Sequence, residues 1–132
     1  MPVELEIPPS AAQLPAVRHA AERVLDGVPQ EVASDVLVAL GEAVGNAIRH
    51  GSGGGGPIEV ALLIDNGWIE MSVKDQGPTP RSPQLPSDPP PPMAPGGRGL
   101  WMILQLVDEV HLSRDGEGTV LSLRRRIDRD GS

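Results

Sequence analysis

A carboxylate and a carboxamide stand four residues apart in residues 41–51 of the 132-residue chain. Glu42 and Asn46 have the spacing that places two side chains on the same face of a helix. A carboxylate accepts hydrogen bonds or a proton, and a carboxamide both donates and accepts hydrogen bonds, so the pair could form part of a site. A polar stripe is also the ordinary solvated face of an amphipathic helix, so the pair alone leaves both interpretations open.

The helix that would carry this pair is strongly patterned. Its apolar stripe comprises Val36, Leu40, Val44 and Ile48, and its polar side comprises Asp35, Glu42, Asn46 and Arg49. Two glycines, Gly41 and Gly45, lie inside the same segment, although each costs about 1 kcal/mol relative to alanine in a helix interior. We therefore expect another group to approach this helix closely.

Two further motifs follow along the chain. Residues 73–78 end a predicted strand with Asp75 and a glycine turn at Gly77, and residues 95–101 begin an apolar helix with a glycine cluster. Each motif alone is weak evidence, because a glycine turn before a helix is common. Their order, on a helix, then a strand, then a helix start, carries the interpretation.

That order resembles the GHKL ATPase superfamily, to which gyrase, MutL and histidine kinases belong. The short chain is most similar to its anti-sigma-factor serine/threonine kinase branch, the ATP-binding proteins of the HATPase_c_2 type, over about residues 3–127. The resemblance implies the Bergerat fold, an α/β two-layer sandwich with helices on one face of a mixed, mostly antiparallel sheet of about five strands. It also implies a single domain over residues 1–132, with a lid loop at about 78–96.

The resemblance assigns roles to the first motif and to the glycine cluster. Glu42 would be the general base, and Asn46 would hold a Mg²⁺ ion that bridges the phosphates of ATP or ADP. Backbone N–H groups at a helix start would bind the phosphates, and Arg98 would add a cation nearby. The residues of this phosphate site would be Gly97, Arg98, Gly99 and Leu100.

Asp75 would accept the exocyclic amine of adenine, with Gly77 letting the ring lie close and Thr119 supporting it. The alternation of the strand supports Asp75 independently, because Asp75 continues the apolar set Ile69, Met71 and Val73 at period two. A carboxylate on an apolar face needs a donor or a ligand. The alternative is that Asp75 only begins the following turn.

The remaining pattern predicts the order of elements. Strands are expected over 3–7, 58–65, 68–75, 109–113 and 119–125, and helices over 14–25, 30–50 and 99–107. Asn66-Gly67 predicts a tight hairpin. The helix over 99–107 is apolar nearly all round and is expected to be buried. Residues 78–95 hold nine of the fifteen prolines, and Thr79 stands where the family has a second glycine.

Composition excludes several classes of function. The net charge of −7 argues against direct nucleic-acid binding, and the absence of cysteine excludes disulfides and thiolate chemistry. An acidic protein that binds a polyanion is expected to use a divalent cation. We find no membrane-spanning run and no signal peptide at the N-terminus, so the sequence predicts a cytoplasmic protein without membrane contact.

The predicted function is that of an ATP-dependent serine-protein kinase that regulates transcription by partner switching. It would bind a sigma factor and phosphorylate a serine of an antagonist protein, and a homodimer is compatible with this function. The alternative is a non-catalytic, nucleotide-sensing regulatory protein of the same fold. The ATPase half of a sensor histidine kinase is disfavoured, because the sequence shows no dimerisation helix with a phosphoacceptor histidine.

Overall fold

A computed structural model describes residues 2–51, 56–76, 98–116 and 118–128. The helices are α1 (Leu14–Val24), α2 (Gln30–Gly51) and α3 (Arg98–Leu106), and a short 3₁₀ helix (Ala11–Gln13) precedes α1. The strands are β1 (Val3–Ile7), β2 (Ile58–Asp65), β3 (Trp68–Asp75), β4 (Glu109–Asp115) and β5 (Gly118–Arg126). The element boundaries lie within about two residues of those that the sequence predicts, because caps, glycines and prolines delimit the segments.

The five strands form one sheet in the order β1-β2-β3-β5-β4. The predicted fold class is confirmed, and the sheet is more regular than predicted, since each of the four pairings between the described strands is antiparallel. Asn66 and Gly67 turn the β2–β3 hairpin with φ of 52° and 84°, as a type I′ turn requires. Pairing β3 with β5 brings two distant parts of the chain side by side.

The core lies between one face of this sheet and the helices. Alternate residues of β2, β3 and β5 are buried there, while α2 packs across these strands and α3 packs on α2. The predicted apolar stripe of α2 is confirmed, with Val36, Leu40 and Val44 almost completely buried. The largest fully buried side chains are Val36, Leu40, Val44, Ile58, Leu62, Ile69, Ile103 and Leu123.

Helix α3 differs from its sequence prediction. Ile103 is fully buried, but Met102, its neighbour, is 43% exposed, so the helix is not buried all round. An apolar sequence of nine residues cannot by itself show how many sides its neighbours cover. Here α3 packs mainly against α2, and the side that carries Met102 remains at the surface.

Candidate functional site

The start of α3 lies against the polar face of α2. A Cβ atom added at Gly99 would stand 2.9 Å from Glu42 Oε2 and 3.3 Å from both Oδ1 and Nδ2 of Asn46. A separation below 3.0 Å is one that real Cβ atoms essentially never show, so any larger residue at position 99 would displace the Glu42 carboxylate. The structure thus brings the first and third sequence motifs into contact.

Glu42 and Asn46 are both half-buried, one helical turn apart on α2. The first N–H groups of any helix have no partner within that helix, and they carry the positive end of its dipole. At α3 these groups belong to the residues beside Glu42 and Asn46, including Leu100, which is also half-buried. The arrangement therefore combines a carboxylate, a carboxamide and a helix start suited to an anion.

Arg49 is a neighbour of the site for which the sequence motifs predict no role. Its Nη2 donates a hydrogen bond of 2.8 Å to Asn46 Oδ1. Its Nη1 lies 3.2 Å from the position that a Cβ of Gly45 would occupy. The signal was present in the sequence, because Arg49 follows Asn46 at the helical i, i+3 spacing.

Asp75 ends β3 opposite Thr119 of β5. The predicted orientation is confirmed for the strand, since Ile69, Met71 and Val73 are buried on the face that Asp75 continues. Asp75 and Thr119 are themselves half-buried. The pairing of β3 with β5 therefore places together two residues that the resemblance links to adenine.

Part of the predicted site lies outside the described residues. Gly77, Gly97 and the whole of the predicted lid at about 78–96 belong to this part, which begins after Gln76 and ends before Arg98. Arg98 begins α3, but its side chain also lies outside the described part. The roles of Gly77, Gly97 and Arg98 stay predictions.

The donor set suits a magnesium ion that is shared with a ligand. Within the described ranges, no group of three or more His, Cys, Asp or Glu side chains could hold a metal ion. Mg²⁺ in nucleotide sites commonly uses one or two protein oxygens, phosphate oxygens and water. The side-chain oxygen of Asn46, beside the start of α3, fits this pattern.

A second polar cluster on α2 is structural. A run of three arginines such as Arg124-Arg125-Arg126 is typical of a solvated strand end, but the Arg125 side chain is only 4% exposed. Its Nε and Nη2 donate to Asp35 Oδ2 at 3.3 and 3.0 Å. Asp108, whose Oδ2 is 4.0 Å from Arg125 Nη1, accepts the Arg126 N–H at 2.7 Å.

Comparison with known proteins agrees with this geometry. Residues 7–125 match the model of the histidine kinase-like ATPase domain family, and the chain therefore belongs to that family. It is 25% identical to the serine-protein kinase RsbW of Halalkalibacterium halodurans, over 97% of this chain and 85% of that protein. It is 27% identical to the serine-protein kinase RsbW of Bacillus pumilus, over 97% of this chain and 90% of that protein.

Solved structures show the same fold. The crystal structure of the RsbU and RsbW domains of a Mycobacterium tuberculosis protein superposes with a TM-score of 0.72 at 24% identity. The match covers 96% of this chain but only 32% of that one. A histidine kinase domain from Erythrobacter litoralis gives a TM-score of 0.56 at 24% identity, over 93% of this chain and 63% of that one.

No helix within the described ranges has both the length and the apolar character of a membrane span.

Proposed function

We propose that this protein binds ATP with Mg²⁺ and acts in the cytoplasm as an anti-sigma-factor serine-protein kinase. It would bind a sigma factor and phosphorylate a serine of an antagonist protein, which regulates transcription by partner switching. Membership of the family supports nucleotide binding, and the names of the RsbW relatives support serine-protein kinase activity. The observation that carries the proposal is the contact of Gly99 with Glu42 and Asn46.

Glu42 is proposed as the general base of this transfer. Its carboxylate would accept the proton of the substrate serine hydroxyl as the serine oxygen bonds to the γ-phosphorus. The bond from the γ-phosphorus to its bridging oxygen breaks in the same reaction, and ADP leaves. Because Oε2 lies beside Gly99, a γ-phosphate bound at the start of α3 would be next to the base.

Asn46 and the start of α3 are proposed to position the phosphates. The N–H groups of Gly99 and Leu100, with the predicted contributions of Gly97 and Arg98, would hold the phosphate oxygens. Mg²⁺ on Asn46 Oδ1 would neutralise phosphate charge, which together with positioning is most of what phosphoryl transfer needs.

The Asp75–Thr119 pair is proposed to hold the adenine. Asp75 would accept a hydrogen bond from the exocyclic amine, Thr119 would support the ring, and the Gly77 turn would let the ring lie close. The half-buried position of Asp75 at the end of an apolar strand face supports this role. A carboxylate shielded from water strongly favours a ligand that donates a hydrogen bond to it over one that does not.

The second candidate function is a nucleotide sensor that does not transfer phosphate. Two observations favour it: Thr79 stands where the family has a second glycine, and Arg49 donates a hydrogen bond to Asn46 Oδ1, the oxygen proposed for Mg²⁺. In this function the protein would hold or release its partner according to whether nucleotide is bound.

Isothermal calorimetry with ADP and ATP in Mg²⁺ tests nucleotide binding directly. Asp75→Asn should weaken binding by about 1.5–3 kcal/mol, the cost of losing a charge-assisted hydrogen bond. Asp65→Asn is the matched control, since Asp65 ends β2 on the exposed hairpin and should leave binding unchanged. If the wild-type protein binds neither nucleotide, both candidate functions are wrong.

Labelled ATP then separates the two candidates. Transfer of the γ-phosphate to a serine of a candidate antagonist protein from the same genome would establish the kinase. Nucleotide binding without transfer to any candidate antagonist would favour the sensor.

A further inference from the structure

Arg49 is hydrogen-bonded to Asn46 Oδ1, the oxygen atom that the proposed function assigns to Mg²⁺. Its Nη2 lies 2.8 Å from Asn46 Oδ1, which is a short, charge-assisted hydrogen bond. The bond also fixes the orientation of the carboxamide, because the amide oxygen must face the guanidinium donor. A cation that is part of the chain therefore already contacts Asn46 Oδ1.

Gly45 provides the space for this arrangement. A Cβ at position 45 would lie 3.2 Å from Arg49 Nη1, a separation tighter than almost all real Cβ contacts. Among the described residues, the next two nearest atoms also belong to Arg49, at 3.9 Å. A residue larger than glycine at position 45 would thus require the guanidinium to move by a few tenths of an ångström.

The guanidinium and a magnesium ion cannot both use Asn46 Oδ1 without cost. Both are positive, and their repulsion at adjacent positions around one amide oxygen opposes simultaneous binding. Mg²⁺ also requires nearly ideal octahedral coordination, so a guanidinium group close to the same oxygen would weaken its binding. The Arg49 side chain is exposed and flexible, so it can move away from Asn46 at little cost in free energy.

We propose that Arg49 competes with Mg²⁺ for Asn46 Oδ1 and thereby sets how strongly the metal enhances nucleotide binding. Arg49 is then a specificity-determining residue for the metal-bound nucleotide. The inference rests on the proposed nucleotide site. It concerns the coupling between metal and nucleotide, and it holds for a kinase and for a sensor alike.

The coupling is measured as the ratio of the ADP dissociation constant in EDTA to that in saturating Mg²⁺, by calorimetry. Arg49→Ala should raise this ratio roughly three- to tenfold, the worth of one hydrogen bond. Gly45→Ala should raise it by a smaller factor, because its methyl group displaces the guanidinium while every charge is retained. Alanine favours the helix over glycine, so this variant should fold.

Arg18→Ala is the control for lost positive charge. Arg18 lies on α1, pairs with Glu22 at 3.6 Å and is well exposed, so its removal should leave the ratio unchanged. An unchanged ratio in Arg49→Ala would overturn the inference. Equal weakening of ADP binding with and without Mg²⁺ would also overturn it, because Arg49 would then contact the nucleotide itself.

The wild-type measurement distinguishes a failure of this inference from a failure of the proposed function on which it rests. If wild-type protein binds no ADP, the proposed function fails. If it binds ADP and responds to Mg²⁺ as Arg49→Ala does, only the role of Arg49 fails.

Discussion

Helix α2 carries two polar clusters, and they are built differently. Near its N-terminal end, Asp35 receives two hydrogen bonds from Arg125, whose side chain is 4% exposed. Further along, Glu42 and Asn46 are half-buried and face a glycine at the start of another helix. The sequence places all three polar residues on the same side of α2, so the difference between the clusters is tertiary.

The difference distinguishes a cluster that stabilises the fold, here called the stability cluster (Asp35 and Arg125), from a candidate functional site. The buried cation Arg125 is paired with the carboxylate of Asp35 in the same chain. A buried charge requires such a partner. The Glu42–Asn46 cluster instead tolerates a glycine in each helix and holds Asn46 through an exposed arginine. These features cost helix stability and leave polar groups beside a helix start, where a ligand can use them.

The sharpest test of this comparison is Glu42→Ala. If the cluster is catalytic, phosphoryl transfer to the antagonist should fall at least about a hundredfold, because general bases contribute about 10²–10⁴-fold. Nucleotide affinity should be retained, and stability should change by less than about 0.5 kcal/mol, as is usual away from structural contacts. Single-turnover transfer, calorimetry and urea unfolding measure the three quantities.

Glu31→Ala is the control in the same helix. Glu31 lies in the first turn of α2, away from Asn46, so transfer should be unaffected. Transfer at the wild-type rate in Glu42→Ala would remove Glu42 from the proposed mechanism.

The next largest effect is expected at the stability cluster. Arg125→Met should lower the free energy of unfolding by about 2–4 kcal/mol, because it leaves the Asp35 carboxylate without its main partner. The folded fraction should still bind nucleotide, since Arg125 lies near the end of β5 opposite Ile69 and not opposite Asp75. Urea unfolding and calorimetry measure the two effects.

Adding Asp35→Leu to Arg125→Met should recover much of the lost stability, because an apolar pair of similar volume replaces the ion pair. A double variant no more stable than Arg125→Met would contradict the pairing. Loss of nucleotide affinity in folded protein would show that the two clusters are not independent.

The smallest effect is expected at Gly41. No atom of the described residues, beyond its own helix turns and chain neighbours, would lie within 4 Å of a Cβ there, so Gly41→Ala should stabilise the protein by about 0.5–1 kcal/mol. Thermal unfolding measures this gain. The expectation that a group approaches the helix at this glycine then has a direct test, since a partner that packs on Gly41 would bind the variant more weakly.

Local pattern was sufficient for most of the architecture. Asn66-Gly67 specifies the hairpin because only such residues adopt positive φ cheaply, and the period of α2 specifies which side of that helix is buried. The alternation of β3 specified the face on which Asp75 lies. Each of these signals acts between residues close in sequence, so the sequence displays them directly.

What the sequence determined by itself was therefore the set of elements, their buried faces and the residue types available for a site. The tertiary structure decided which of them meet: Gly99 against Glu42, Thr119 opposite Asp75, and Arg125 buried on Asp35 while Arg49 reaches Asn46. The Arg125 contact went unpredicted although the alternation of β5 places Arg125 on the face of Leu121 and Leu123, because only strand pairing and the packing of α2 bring Asp35 to that face. Contacts between distant segments depend on that pairing and on helix packing, which no local period encodes.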